Sequence, residues 1–571
     1  TFEEALELGR LAEENNVLFT TAPDTFLGSW EQSSRKYLDD GIIGKPISIH
    51  AQCTAHYEPS TPFFDMAPKF FFFPLHYGGG FPFDLGGYYI HQMINLLGSI
   101  KRVTGFGGNI NPVRKYTNGT LAPHILGRIG AIDADEYKEK KSEGYKITDF
   151  IGKSGIELAM EEYLKGIDGE ATVYTDENGN NTTEITTPPS QGNTVVLTID
   201  SGIQEVAQKG LEKALLDYAG KKGNMVENAG AVVVLNCKDS SILASASYPT
   251  YDISTYSENA AALNTAPGSP LWNRALLSTY ATGSTMKPSV AIAALEEKQI
   301  DEEYTVYCSG KYTYLGQTFK CEQSHVTNYV NVVNAIDESC NTFFYEVGKN
   351  MGIEKMNEYR TLFGLGAKTG CELGEASGVL DSPEYRASLN QKWLPGYTVQ
   401  SAIGQAGNLF SPIQLANYCA AVANGGTRHR THFVKSVKSY DYSRTVFENE
   451  AEIVAETGVS EKTLEIVRRG MLEVGTTGYC SSYFAHLPVQ VAAKTGTSQE
   501  IRKIGGVSVK INNGFLIAFA PYDNPEIAVA VVGEGMTSGA FLAPVVADIV
   551  EYYYGQSDTL DSYQQENVLI P

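Results

Sequence analysis

The chain is short of positive charge. Against 66 Asp and Glu it carries only 44 Lys and Arg, a formal net charge of −22 over 571 residues. Such a balance argues against affinity for nucleic acid or an anionic membrane surface. No apolar run approaches the ~18 residues that a membrane-spanning helix needs, and no secretory leader is recognisable at the start. No G-x-G-x-x-G opens the chain, so the phosphate-binding start of a dinucleotide fold is missing. The 8 cysteines are scattered, without C-x-x-C or zinc-finger spacing, and no metal and no cofactor are expected from them. An apolar content of 42% is ample for the cores of several domains.

Three short strings carry the chemistry: Ser284-Thr285-Met286-Lys287, Ser339-Cys340-Asn341 and Lys494-Thr495-Gly496-Thr497. Each has rival copies. Ser33-Ser34-Arg35-Lys36 repeats the first pattern, Ser257-Glu258-Asn259 and Ser388-Leu389-Asn390 the second, and Lys368-Thr369-Gly370 the third. Context separates them. Ser284 leads into Pro288 and an Ala-rich apolar run to Glu296, which predicts a buried helix with Pro288 in its first turn and Lys287 on the same face as the serine. Lys494 follows the strand-like Val489–Ala493, and further strands are predicted over Gly514–Ala520 and Ile527–Val532, which suits a sheet edge bordering a cleft. Asn341–Gly348 reads as the start of a core helix, with a helix cap as the bland reading of Ser339 or Asn341. Ser33 and Lys36 sit in a polar stretch and read as a solvated helix face. Lys368 sits in a glycine-rich loop and reads as a solvated turn.

These residue types fit a serine acyl-transferase whose base is a lysine. A serine hydroxyl is a weak nucleophile until a neighbouring base takes its proton. Lysine serves only when neutral, so its pKa must fall from about 10.4 towards roughly 7–8, through desolvation and a nearby cation. Lys494 is the candidate cation. Ser339 is the candidate proton relay, Asn341 the partner of a substrate amide, and Thr495 and Thr497 the hydroxyls for a substrate carboxylate. The backbone N–H groups of Ser284 and Thr497 are the expected oxyanion donors, one such donor being typically worth about 2.7–4 kcal/mol.

Residues from about 113 to 556 resemble a class B penicillin-binding protein, a peptidoglycan D,D-transpeptidase. Beyond the three strings, Arg114–Gly119, His124–Gly127, Asp149–Glu157 and Tyr163–Gly166 are similar to that family's pedestal or dimerisation region. Val195–Asp200 resembles the strand that opens its transpeptidase domain, and Asn273–Ala275, Ala402–Gln405 and Ala423–Gly426 are also family-like. Many relatives have proline where Thr282 stands. The resemblance implies catalytic roles for Ser284, Lys287, Ser339 and Lys494, and substrate binding by Asn341, Thr495, Gly496 and Thr497. It implies acylation of Ser284 by a D-Ala-D-Ala stem peptide, transfer to a neighbouring amine, and acylation of the same serine by β-lactams. A cell-wall synthesis complex with a glycosyltransferase is the expected partner, and the extracytoplasmic face of the bacterial membrane the expected site, through an anchor this chain lacks.

Residues 1–110 read differently. Glu4–Phe19, Ala22–Phe26, Gly41–Pro46, Gly78–Gly80 and Asp84–Gly86 resemble the middle of a Gfo/Idh/MocA-family oxidoreductase. Its Glu-Lys-Pro motif is missing, Tyr88 stands where many relatives have histidine, and His91 reads as a helix-face residue, so no nicotinamide binding is expected. Two incomplete partners, joined near Asn109–Val113 in a chain that starts at Thr1, lead to the expectation of a chimeric or misassembled reading frame, with a real fusion as the minority reading.

The expected architecture is α/β and multidomain. It comprises an oxidoreductase fragment (1–110), a pedestal remnant with linker (111–194), and a transpeptidase domain (195–556) of antiparallel sheet flanked by helices with a helical subdomain. A tail (557–571) follows. Asp176–Gln191 reads as a loop or linker. Cys308 and Cys321 bracket a short Tyr- and Gly-rich stretch; a hairpin disulfide and two unlinked core cysteines are equally open. Cys340 is expected to face away from the site as a small buried residue, and His429 with His432 to be solvated. A β-lactamase or β-lactam sensor of the same fold, which predicts an efficient deacylating base such as a class A-type glutamate, and an inactive chimera are the competing functions.

Overall fold

A computed structural model describes Tyr116 and residues 118–566, apart from 176–180, 223–227, 322–324, 326–327 and 505–506. The chain divides into two compact units, Thr1–Asn111 and Pro112–Pro571. The oxidoreductase-like elements, Tyr88, His91 and the Ser33/Lys36 pair lie outside the described residues.

The second unit is organised around a five-stranded antiparallel sheet. Its strands are β1 (Gly230–Asn236), β2 (Ile242–Tyr248), β3 (Ala492–Ile504), β4 (Val507–Ala520) and β5 (Ile527–Glu534), in the order β3-β4-β5-β1-β2. The sequence pattern explains why its centre is so apolar. All eight residues of β5 are buried, because both sheet faces are covered and strand alternation then has no solvent side to serve. Val232, Val234, Leu516, Val529 and Val531 point into one core with the helices α1 (Ser201–Lys222) and α5 (Ala543–Glu566). Ala231, Val233, Phe515, Ile517 and Ala530 point into the other, with α2 (Lys287–Glu296), α3 (Asn341–Met351) and α4 (Pro412–Ala423). The expected antiparallel sheet flanked by helices, with a helical subdomain, is the architecture found.

Local signals fix the helix ends. Asp200 starts α1 by accepting from Gly202 N and Ile203 N, both at 2.9 Å. Ser411 and Gln414 form a capping box at the start of α4, which also carries proline in its first turn.

Two expectations need correction, the loop over Asp176–Gln191 and the solvated His429 and His432. Asp176–Gln191 is not all loop: Asn181–Thr187 is a strand paired with Glu170–Thr175, as its run of β-branched threonines and Ile185 allows. Val195–Asp200 does contain a strand, Thr194–Leu197, but it joins Val434–Lys438 and Thr445–Glu448 in a separate three-stranded sheet. His429 and His432 are buried, at 7% and 5% exposure: His429 ends the strand Thr427–His429, and His432 bridges to Ser241. No helix among the described residues is long and apolar enough to cross a membrane.

Candidate active site

The turn that carries Ser284 is a 3-10 turn, Gly283–Met286, that feeds directly into α2. Pro288 falls in the first turn of α2, where its missing N–H costs least. Ser284 is half-buried at a cleft while Lys287 is fully buried. Backbone crowding holds this turn. Gly283 has φ +59°, and a Cβ there would lie 2.3 Å from Thr497 O; Gly404, at φ +72°, approaches Gly283 O so closely that its Cβ would lie at 2.0 Å. Gly283 N donates to Gly404 O at 3.0 Å. Three chain segments thus touch through bare backbone.

Lys287 Nζ sits 2.6 Å from Ser339 O, 2.7 Å from Asn341 Oδ1 and 3.1 Å from Ser339 Oγ. Burial first, and then the charge of Lys494, hold its pKa well below the usual lysine range. A neutral amine has two N–H donors, and the two short contacts use both. Its lone pair is then left to accept a proton. Lys494, the third residue of edge strand β3, reaches the same serine: its Nζ donates to Ser339 Oγ at 3.0 Å and to Thr495 O at 3.0 Å. Burial brings the Lys494 pKa down to about 8, against the pull of Cys480 and Asp337. The two shifts favour an uncharged amine at Lys287 facing an ammonium at Lys494 across a single hydroxyl.

Ser339 adopts a left-handed backbone, φ +56°, just beyond helix Val332–Asp337. That conformation turns its carbonyl to Lys287 and is unusual for a non-glycine residue. The bland reading of this string lands on its middle residue: Cys340, not Ser339 or Asn341, caps α3, its Sγ accepting from Phe343 N. Asn341 is held by Lys287 on its oxygen and by Lys320 O on its nitrogen, at 3.2 Å.

Ser284, Ser339, Asn341, Thr495, Gly496 and Thr497 line one cleft of about 610 Å³. Its wall is hydroxyls, amides, a lysine and aromatic rings, with no Asp or Glu among the described residues. The rival strings lie elsewhere. Lys368 is exposed, and Thr369 is tied to Glu375 and Thr431; Ser257–Asn259 and Ser388–Asn390 belong to surface helix segments. A second cavity, near Asn424 and Glu456, is remote from these groups.

Similarity to known proteins agrees with this geometry. Residues 230–551 match the family described as the penicillin binding protein transpeptidase domain. The chain belongs to that family. Residues 91–197 match the penicillin-binding protein dimerisation domain, and residues 32–134 the GFO/IDH/MocA C-terminal domain. The class B penicillin-binding protein expected from the motifs is therefore the one found, with the oxidoreductase likeness beside it.

Curated relatives include the peptidoglycan D,D-transpeptidase MrdA of Acinetobacter baumannii, 30% identical over 77% of this chain and 66% of the relative. MrdA of Salmonella typhimurium is 30% identical over 78% of this chain and 73% of the relative. The chain thus spans about two thirds of their length. Among solved structures, the complex of penicillin-binding protein PBP2 with MreC from Helicobacter pylori superposes with a TM-score of 0.66 at 25% identity, covering 77% of this chain and 79% of that one. PBP2 of Pseudomonas aeruginosa in complex with WCK 5153 gives 0.60 at 28% identity, covering 76% and 89%.

Some cleft residues of this penicillin-binding protein carried no role in the sequence reading. Gln405 belongs to the family-like Ala402–Gln405, and its side chain donates to Thr497 O at 3.1 Å. Ser401, just before it, is gripped by the fully buried Arg360, through Oγ at 2.8 Å and O at 2.7 Å. Gln400, Tyr345 and Tyr479 also line the cleft; only the fold assembles them. Of the two readings left open for Cys308 and Cys321, the unlinked one is found. Cys308 and Cys321 form no disulfide, and with His325 and Cys340 they make a buried group whose ligand atoms could hold a metal ion.

Proposed function

We propose that this chain is a serine D,D-transpeptidase that cross-links peptidoglycan stem peptides through an acyl-enzyme on Ser284. The observation that carries this reading is the placement of Lys287. Its amine is desolvated, both its N–H groups are committed to Ser339 O and Asn341 Oδ1, and Ser284 opens on the same cleft.

In the first half-reaction Ser284 Oγ attacks the carbonyl of the penultimate D-alanine and its proton passes to Lys287 Nζ. The N–H groups of Ser284 and Thr497 receive the oxyanion. Collapse breaks the peptide bond, and a proton returning through the Ser339 hydroxyl, polarised by Lys494, leaves with D-alanine. In the second half-reaction an acceptor amine attacks the ester, loses a proton to the same base, and releases Ser284. Asn341 orients the peptide amide, Thr495 and Thr497 take the terminal carboxylate, and Gly496 gives the substrate close access to the strand. A β-lactam enters as a cyclic mimic and leaves a long-lived ester.

A β-lactamase that activates water with a class A-type glutamate is disfavoured, because no Asp or Glu is among the described residues lining the cleft. The partners are D-Ala-D-Ala stem peptides, β-lactams and a cell-wall synthesis complex containing a glycosyltransferase, at the extracytoplasmic face of a bacterial membrane. Solved relatives include a complex with MreC and a peptidoglycan synthase complex. Residues 1–110 form an oxidoreductase fragment that binds no nicotinamide; measurable NADH binding would overturn that. Residues 111–194 act as pedestal, 195–556 as the catalytic domain and 557–571 as a tail.

The function is tested by incubating the protein with fluorescent penicillin and with a D-Ala-D-Ala pentapeptide. Wild type is expected to hold a stable label and to release D-alanine, while Ser284→Ala does neither. Rapid turnover of penicillin would assign a β-lactamase, and an unlabelled wild type would leave only an inactive chain.

A further inference from the structure

We infer that Gln405 is a positioning residue for acyl transfer. It holds the Thr497 peptide unit on the free edge of β3, so that this one residue pairs with both backbone groups of the acyl-donating D-alanine. The inference deepens the transpeptidase reading and rests on it.

Among the described residues β3 has a strand neighbour on one side only, β4, with Thr497 opposite Gly514. On such an edge every second residue turns its N–H and C=O outward. Two carbonyls, two residues apart, show this by what they accept. Thr495 O takes Lys494 Nζ at 3.0 Å, and Thr497 O takes Gln405 Nε2 at 3.1 Å. Thr497 also lies against the turn that carries Ser284: a Cβ on Gly283 would come 2.3 Å from its O and 3.0 Å from its N.

An extended peptide added antiparallel to a sheet edge exchanges two hydrogen bonds with the residue opposite. With Thr497 N–H given to the carbonyl under attack, Thr497 O is left to take the N–H of the same D-alanine. A carbonyl oxygen has two lone pairs, so Gln405 keeps one and the donor takes the other. The peptide unit is thereby set before the donor arrives, and no reorganisation is needed as the oxyanion forms.

The loop that carries Gln405 is anchored on both sides of it. Arg360 grips Ser401, and Asn408 Nδ2 donates to Ser401 Oγ at 2.8 Å. Beyond Gln405, Gly407 N donates to Asp381 Oδ2 at 2.8 Å. Arg360 and Asp381 are both fully buried. Desolvating a charge costs free energy, and here two buried charges act on one short loop. Between the anchors, Ala406 lines the cleft in a left-handed conformation, φ +67°, although it is not glycine. Backbone strain held in place by its surroundings is the mark of a segment whose path serves the cleft.

The test follows D-alanine release by the full chain from two donors. One is acetyl-Lys-D-Ala-D-Ala. The other has D-lactate as its middle residue, which replaces the N–H in question by an ester oxygen and leaves the scissile bond unchanged. Wild type is expected to prefer the amide donor by roughly tenfold in kcat/KM, and Gln405→Ala by only about twofold. Gln405→Glu, of the same shape but ionised and without an N–H to donate, should lose the preference as well, and it decides should Gln405→Ala fail to fold. A merely structural role would slow both donors alike and leave the preference at its wild-type value; that outcome overturns the inference. A wild type that labels with penicillin but treats the two donors equally overturns it too. A wild type that neither labels nor releases D-alanine overturns the transpeptidase reading itself, so the two failures are told apart.

Discussion

Lys287 and Lys494 meet at one oxygen: the Ser339 hydroxyl lies 3.1 Å from the first Nζ and 3.0 Å from the second. Both amines are fully buried, so neither charge is screened by solvent. Two adjacent buried ammonium groups would repel strongly, and the conflict is resolved by keeping one of them neutral. Lys494 has Asp337 near it and stays the more basic of the two, with a pKa of about 8. On the mechanism proposed above, this asymmetry makes Lys287 the base and Lys494 the cation.

The pH dependence of acylation follows. The rate rises with pH as Lys287 loses its proton, and falls above about pH 8 as Lys494 loses its own. Stopped-flow acylation by a chromogenic β-lactam should give this bell. Lys494→Arg keeps its charge at all these values, so the basic limb should vanish even though the absolute rate drops. A basic limb that survives in Lys494→Arg would assign it to another group.

Lys287→Met separates catalysis from stability. Loss of the general base should slow acylation by roughly 10²–10⁴-fold. Because the folded pKa of Lys287 lies below its unfolded value, the unfolded chain binds more protons between the two, and this lysine's penalty is largest at low pH and eases as pH rises. The thermal midpoint of Lys287→Met should therefore equal or exceed that of wild type at pH 6 and lose that advantage towards pH 10. Calorimetry across that range checks the sign; a variant less stable at pH 6 than at pH 10 relative to wild type contradicts it.

Gly404→Ala tests the bare-backbone contact between the loop and the nucleophile turn. Its φ of +72° and the 2.0 Å approach to Gly283 O leave no room for a methyl group. A cost of roughly 1–3 kcal/mol from backbone strain alone is expected, with slower penicillin labelling. Gly374→Ala, with open space around it, should be close to neutral in both thermal denaturation and labelling.

Much of the site was legible because its three strings are local. A serine three residues before a lysine at a helix start, and a lysine on an edge strand, are short-range patterns that the fold preserves in Gly283–Met286 and β3. What was not legible depends on long-range closure. Cys308 and Cys340 are brought together by strand pairing across Val306–Val330, which no spacing rule encodes. The Arg360–Ser401 grip and the Gln405–Thr497 contact join segments 41 and 92 residues apart. The hairpin to Asn181–Thr187 was hidden by turn-forming Asn, Gly and Pro on both sides of its threonines. The burial of His429 and His432 was masked by their arginine neighbours.

The most direct measurement is the site of the penicillin adduct. After reaction with benzylpenicillin, intact mass and peptide mapping should find a single penicilloyl group on Ser284, absent from Ser284→Ala and strongly reduced in Lys287→Met. An adduct on any other serine, or equal labelling of wild type and Lys287→Met, would contradict the account.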